Sequence, residues 1–340
     1  MKSAHCTRAR GQLQARTAIA LGARGALGAT LVGLVIVACG ETSSSDPGAS
    51  PADPGAIDAS PGDAASVDGG PAPDAATTSD GTSPEGGRPS VGDKDAKGRT
   101  LVWADEFDGA SIDRAAWGNE VGVSIRNNEL ESYTVDAKNQ FVDKGDLVIK
   151  AIYESGSGAG SYTSASLTTE GHKSLLYGRI EARIKIPGAK GSWPAFWLLP
   201  ANKAKYDHNP PYNSWWPAGG EIDVLESVSQ DPATVYGTAH YLLGGVHQSS
   251  GATEVMPAPL AGDYHVFAIE WTATTIDWFV DAKKYHSFDI SKAFDGRTPF
   301  NDPFYLILNL AVGGSWPEAP SSAQYPCEMR VDWVRVWQAI

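Results

Sequence analysis

The chain has 340 residues, a formal net charge of −13 and 3 cysteines, and its first aromatic residue is Trp103. A stretch without aromatics cannot bury enough apolar surface to offset the entropy of ordering it, so residues 99–340 are expected to hold one domain with a substantial core. So acidic a chain lacks the clustered Lys and Arg that phosphate binding needs, which excludes nucleic acid as a partner and leaves a membrane only through a lipid anchor.

Residues 1–24 are Arg-rich, and Gly25–Ala38 is an unbroken run of apolar and small residues. That run is shorter than the ~20 residues of a spanning helix and has the form of a signal-peptide core. It closes on Ile36-Val37-Ala38-Cys39, which resembles a bacterial lipobox, where the Cys becomes the acylated first residue of the mature protein. The expectation is a signal peptide over 1–38 and a lipid on Cys39; the alternative is an ordinary signal peptide with a Cys nearby by chance. With Cys6 removed and Cys39 acylated, Cys327 stands alone and no disulfide framework forms. Gly40 after the Cys leans, by resemblance to lipoprotein sorting, towards the outer membrane or cell surface. Residues 39–98, the Cys and a linker after it, are mostly Asp, Ala, Gly, Pro, Ser and Thr, with Asp-Pro-Gly-Ala at 46–49 and again at 53–56. Such a composition gives a disordered, solvated linker.

From Trp103 onward, short apolar runs recur between Gly, Pro, Asn and Asp breaks. In Arg179–Pro187 the residues Ile180, Ala182, Ile184 and Ile186 alternate with Arg179, Glu181, Arg183 and Lys185. Further runs are Leu147–Ala151, Ala195–Leu199, Ile222–Val228, Thr234–His240, His265–Trp271, Thr275–Asp281, Phe304–Ala311 and Met329–Trp337. None sustains a helical period, and β-branched and aromatic residues dominate. The reading is all-β, an antiparallel sandwich or barrel.

The sharpest feature is Gly220-Glu221-Ile222-Asp223-Val224-Leu225-Glu226. In a regular strand Glu221 and Asp223 share a face, while Glu226 falls with Ile222 on the core side. A buried, unpaired carboxylate there would cost several kcal/mol. A β-bulge near Val224-Leu225 absorbs one residue and returns Glu226 to the face of Glu221 and Asp223. Three crowded carboxylates suit calcium, which takes oxygen ligands, or glycoside hydrolysis, which needs two flanking the scissile bond. On the second account the middle Asp keeps one proton shared among charges that cannot all ionise together. An exposed acidic strand is the plain alternative. Trp193, Trp197, Trp215 and Trp216 lie just upstream, and indoles stack on the C–H faces of sugars.

The 220–226 segment resembles the signature of glycoside hydrolase family 16 in its bulged, laminarinase (endo-1,3-β-glucanase) form. Leu101–Asp108 resembles the family's opening strand, Asn127–Thr134 the laminarinase Asn-Asn-Glu-Leu block, and Gly191–Pro200 the Trp-Pro-Ala-x-Trp strand; Phe304–Trp316 and Val331–Val336 resemble its closing strands. The resemblance implies a concanavalin A-like β-jelly roll of two curved antiparallel sheets with a concave sugar-binding cleft. It implies Glu221 as nucleophile, Glu226 as acid/base and Asp223 as the residue that positions and tunes Glu221. It carries cleft roles to Asn128, Arg179, Trp193, Trp197, Trp215, His240 and Trp316. Trp197 can equally be buried, His240 can be a core histidine, and Arg179 can simply pair with a carboxylate; Trp278 and Trp333 are left to the core. Trp216, added beside Trp215, and the insert Lys203–Pro211 with Tyr206, His208 and the adjoining Tyr212 depart from the family pattern.

Catalysis of this kind needs no cofactor. A structural calcium on the convex face maps by resemblance to Glu106, Gly145 and Asp332; a salt bridge from Asp332 to Arg330 or Arg335 is the alternative. The expected activity is endo-hydrolysis of β-1,3 linkages in laminarin-type glucans, with mixed-linkage glucan as a second substrate, by an exported monomer. A surface β-glucan-binding lectin and a transglycosylase on the same fold are the rival readings; the lectin is disfavoured because Glu221, Asp223 and Glu226 are all present.

Overall fold

The computed structural model describes residues 88–124, 126–207 and 214–339. The signal segment, Cys39, the linker up to residue 87, His208 and Tyr212 lie outside them. Apolar runs become strands, paired into a seven-stranded and an eleven-stranded sheet. The seven-stranded sheet runs, in spatial order, Val246–Val255, Thr234–Leu243, Glu221–Glu226, Ser192–Pro200, Phe304–Val312, Ser166–Thr168 and Gly118–Glu120. All its pairings are antiparallel. The eleven-stranded sheet is built round Gly178–Lys185, flanked by His265–Trp271 and Cys327–Gln338; among the described residues its one parallel pairing joins Glu131–Tyr133 to Tyr162–Ser164.

Pattern explains position. Thr234–Leu243 alternates buried and half-buried residues, as a strand with one face on the core should. Every residue of Ser192–Pro200 and Phe304–Val312 is buried. These are the central strands of their sheet, with one face in the core and the other under the aromatic floor of a cleft. Between the sheets Phe196, Leu198, Ile222, Leu306 and Leu308 meet Ile180, Ile184, Phe267, Val331 and Val334. The result is the expected jelly-roll sandwich.

One cross-sheet bond bears directly on the site. Trp278, fully buried, donates its indole N–H to the backbone carbonyl of Asp223 at 2.7 Å. Gly237 makes room for it, because a Cβ there would collide with Trp278 and Tyr285. Replacing Trp278 with Phe leaves that carbonyl without its donor and opens a gap behind the bulge. The expected loss, read from denaturant unfolding, is about 2–3 kcal/mol. Trp333 is buried differently, outside the main core and under the Arg335 guanidinium 4.0 Å from its ring.

The packed chain begins earlier than the boundary drawn at residue 99. Gly92 N–H donates to the Leu101 carbonyl at 2.9 Å, Lys94 bridges Thr100, and Lys97 reaches Glu270 at 2.7 Å. Residues 88–98, read as linker from their polarity, are therefore held on the eleven-stranded sheet by backbone pairing and charge.

Candidate active site

The Glu221–Glu226 strand carries the anticipated bulge. Against Thr234–Leu243, Asp223 faces Thr238 and Glu226 faces Tyr236, three residues matched to two. On the other side Leu225 faces Phe196 and Asp223 faces Trp197, which leaves Val224 as the surplus residue. Val224 and Leu225 both point into the core, while Glu221, Asp223 and Glu226 line one cleft of about 890 Å³. Gly220, at φ +82°, turns the chain into this strand against Phe300, Phe304 and Pro299.

Each glutamate is held by an indole. Trp216 Nε1 donates to Glu221 Oε2 at 3.1 Å, and Trp193 Nε1 donates to Glu226 Oε1 at 3.0 Å. Asp223 sits between them, nearly fully buried. Its Oδ2 has His240 Nε2 at 3.3 Å but no hydrogen-bond donor aligned on it among the described residues. Ligand-type atoms of Glu221, Asp223 and His240 all fall within 4.8 Å of one another. Burial, then the charge of Asp223, pushes the Glu226 carboxyl up to about 8, against the pull of His240 and the Trp193 N–H. Burial raises Asp223 as well, and burial followed by repulsion from Asp223 raises Glu221. So dense a group retains protons at neutral pH, which is what a general acid requires.

The comparisons with known proteins agree with this geometry. The model of glycosyl hydrolases family 16 matches residues 123–335. The chain belongs to that family. It is 40% identical over 253 residues to the β-glucanase of Rhodothermus marinus, covering 70% of this chain and 85% of that protein. It is 36% identical over 269 residues to glucan endo-1,3-β-glucosidase A1 of Niallia circulans, covering 71% of this chain but only 38% of that longer protein. The X-ray structure of the Rhodothermus marinus laminarinase superposes with a TM-score of 0.63 at 40% identity, over 71% of this chain and 98% of that one.

Of the cleft residues carried over from family 16, Trp193, Trp197, Trp215, His240 and Trp316 line the cleft with the three carboxylates. Trp316 packs edge-on against Trp193 and Tyr236, at 5.4 and 4.7 Å between ring centroids. For Trp197 both alternatives hold at once. It lines the cleft, yet its ring is nearly buried, its N–H is bound to Asn309 Oδ1 at 2.7 Å and the Arg126 guanidinium lies 5.1 Å from it.

Two residues are placed elsewhere. Arg179 belongs to the eleven-stranded sheet, where it pairs with Glu181 at 2.8 Å and Glu270 at 3.4 Å. It opens an alternating strand whose outward positions are charged in both signs, so ion pairing takes it. Asn128 donates to Ser315 Oγ at 2.8 Å and does not line the cleft, whereas Asn127 and Glu129 do. Asn127 and Asn128 both have positive φ, 51° and 57°, and this reversal breaks the alternation from which side-chain direction is read.

The cleft also contains Trp216, one of the four indoles upstream of the carboxylates, and Arg126, Glu129, Tyr236, His247 and Asn309, to which the sequence attached no role. Trp216 was read as a stacking indole and as an addition beside Trp215, not as the donor that holds Glu221, and Glu129 sits in plain view within the Asn-Asn-Glu-Leu block.

The calcium mapped by family resemblance does not fit its three residues. Arg335 grips both Glu106 carboxylate oxygens, at 2.7 and 2.9 Å, and Arg183 holds Asp332 at 2.8 Å. Arg88 then donates to the Glu106 carbonyl at 2.6 Å and reaches Asp332 at 3.4 Å, its Nη2 lying 3.6 Å from where a Cβ on Gly145 would stand. A tethered guanidinium thus occupies the space between the three. Arg330, the other alternative partner for Asp332, is taken by Asp143, Asp146 and Glu328. Thermal melting of the protein is accordingly expected to give the same Tm in EDTA and in millimolar calcium; a Tm that rises with calcium would contradict this arrangement.

Proposed function

We propose that this family 16 glycoside hydrolase is a retaining endo-β-1,3-glucanase acting on laminarin-type glucan. The observation that carries the reading is the surplus Val224, which puts Glu221, Asp223 and Glu226 on one face of a cleft while an indole N–H fixes each glutamate. Glu226, protonated, donates to the glycosidic oxygen as the Glu221 carboxylate attacks the anomeric carbon; the C–O bond breaks and a glycosyl-enzyme forms. Glu226, now a carboxylate, takes a proton from water, whose oxygen attacks the same carbon and releases Glu221. Asp223 retains the shared proton beside Glu221 and so steadies its charge. Trp193, Trp316 and Tyr236 together give the cleft an aromatic surface for sugar faces, and Trp215 lines it as well.

The lipobox at Cys39 supports a further reading, that the enzyme is exported and lipid-anchored at the outer membrane or cell surface, acting as a monomer on glucan outside the cell. Mass spectrometry of the membrane-extracted protein would show an acylated N-terminal Cys39; an unmodified, soluble chain would remove the anchor.

The enzyme reading is tested by incubating the purified protein with laminarin and with mixed-linkage glucan, following reducing ends and the anomer released. Early appearance of β-anomeric oligosaccharides of several lengths is expected. Initial α-anomers would exclude retention, and binding of laminarin without cleavage of either glucan would turn the reading towards a lectin.

A further inference from the structure

Behind the reacting carboxylates stands a pair of histidines on adjacent strands. His240 Nδ1 lies 3.0 Å from His247 Nε2, and the rings are 5.1 Å apart. The other nitrogen of His240 lies 3.3 Å from Asp223 Oδ2 and 4.0 Å from Glu221 Oε1. Trp216 closes the group, its ring 4.8 Å from that of His247 and its N–H on Glu221. A hydrogen-bonded histidine pair thus runs from the edge strand Val246–Val255 to within close approach of Asp223 and Glu221.

Two facing imidazole nitrogens at this separation hold one proton between them, so their tautomers are coupled. If His247 Nε2 carries the proton, it donates to His240 Nδ1, and neutral His240 has its own proton on Nε2, the nitrogen nearer Asp223 and Glu221, close to both carboxylates without being aligned on either. If His240 carries it on Nδ1, a neutral His240 turns a lone pair on Nε2 towards two carboxylates, which is repulsive. Burial, followed by the nearby His240, holds His247 below the usual imidazole range, which keeps it neutral near pH 7. Among the described residues, the titratable groups around the pair are Glu221, Asp223 and Glu226 on the catalytic strand and the two histidines themselves.

We propose that His247 is a positioning residue that fixes the proton of His240 on Nε2, so that this N–H faces the Glu221–Asp223 pair and favours the ionised nucleophile. The proposal rests on the glucanase reading for what that pair does, while the tautomer itself is independent of any substrate.

The test compares wild type, His247→Leu and His247→Gln. In long-range 15N–1H spectra of the whole protein, wild-type His240 is expected as the Nε2–H tautomer and as a tautomer mixture in the Leu variant. In the Leu variant kcat/KM on laminarin should fall about tenfold, with the acid limb of its pH profile moved up by about half a unit or more, since the Glu221–Asp223 pair loses the nearby N–H dipole that favours its ionised form. The Gln variant, whose amide can donate to Nδ1, should restore the limb. A fall in kcat/KM with an unmoved profile, or a wild-type His240 protonated on Nδ1, would overturn the proposal. If the Leu variant does not fold, the wild-type spectrum and the Gln profile decide. If wild type cleaves no glucan, the glucanase reading fails and the tautomer spectrum alone decides here.

Discussion

Glu221→Ala is expected to lower kcat/KM on laminarin by at least ~10³, because no other oxygen replaces the covalent partner of the anomeric carbon. Loss of activity alone would not separate this from misfolding, so the product formed with added azide is the decisive readout. With the carboxylate gone, azide enters the vacated space, attacks the anomeric carbon directly and yields an α-glucosyl azide, since one inversion replaces two. Recovery of a β-azide would mean that a covalent intermediate still forms, and Glu221 would not be the nucleophile. The Trp216 indole should remain in place in this variant, because it also packs on His247.

Glu226→Gln should show the complementary behaviour. The carboxyl, pushed up to about 8 by burial and then by Asp223, is protonated at neutral pH in the absence of substrate. The sign follows. A raised group holds its proton to higher pH, so kcat/KM for a substrate with a poor leaving group stays high through neutrality and falls as pH passes the raised value. Glu226→Gln should abolish that alkaline limb and lower kcat/KM on laminarin by about 10²–10⁴, the usual worth of general acid–base catalysis. An aryl glucoside with a good leaving group needs no proton in the first step, so it should lose far less. Azide should then give a β-glucosyl azide, by attack on the intermediate. A variant that keeps its alkaline limb would assign that limb to another group.

The bulge was legible in sequence because parity left no comfortable place for Glu226; the polar residue at a core position gave it away. Trp193 was legible because large aromatics beside a carboxylate strand have few other uses, whereas Trp316, far along the chain, was reached only through the family resemblance. Arg179 was misplaced because a charge at a strand start reads the same on either sheet, and only pairing with Glu181 and Glu270 tells which. His247 was invisible for a different reason. Its meaning depends on the cross-strand neighbour of a neighbour, and its own strand is an exposed edge of small and polar residues with no pattern to mark it. The calcium assignment failed on Arg88, which sits in a segment whose composition reads as linker and whose partners are distant in sequence.

Arg88 has a mechanical meaning as well. It meets Glu106 and Asp332 on the eleven-stranded sheet, the layer that does not carry the cleft. Any pull on the chain ahead of it is first borne by those ionic contacts and by the backbone pairing of residues 92–101, then shared across the broadest sheet of the molecule. The Glu221–Glu226 strand lies outside that load path. A pull entering at Arg88 would therefore strain the back of the enzyme first and leave the spacing of its reacting oxygens as it was.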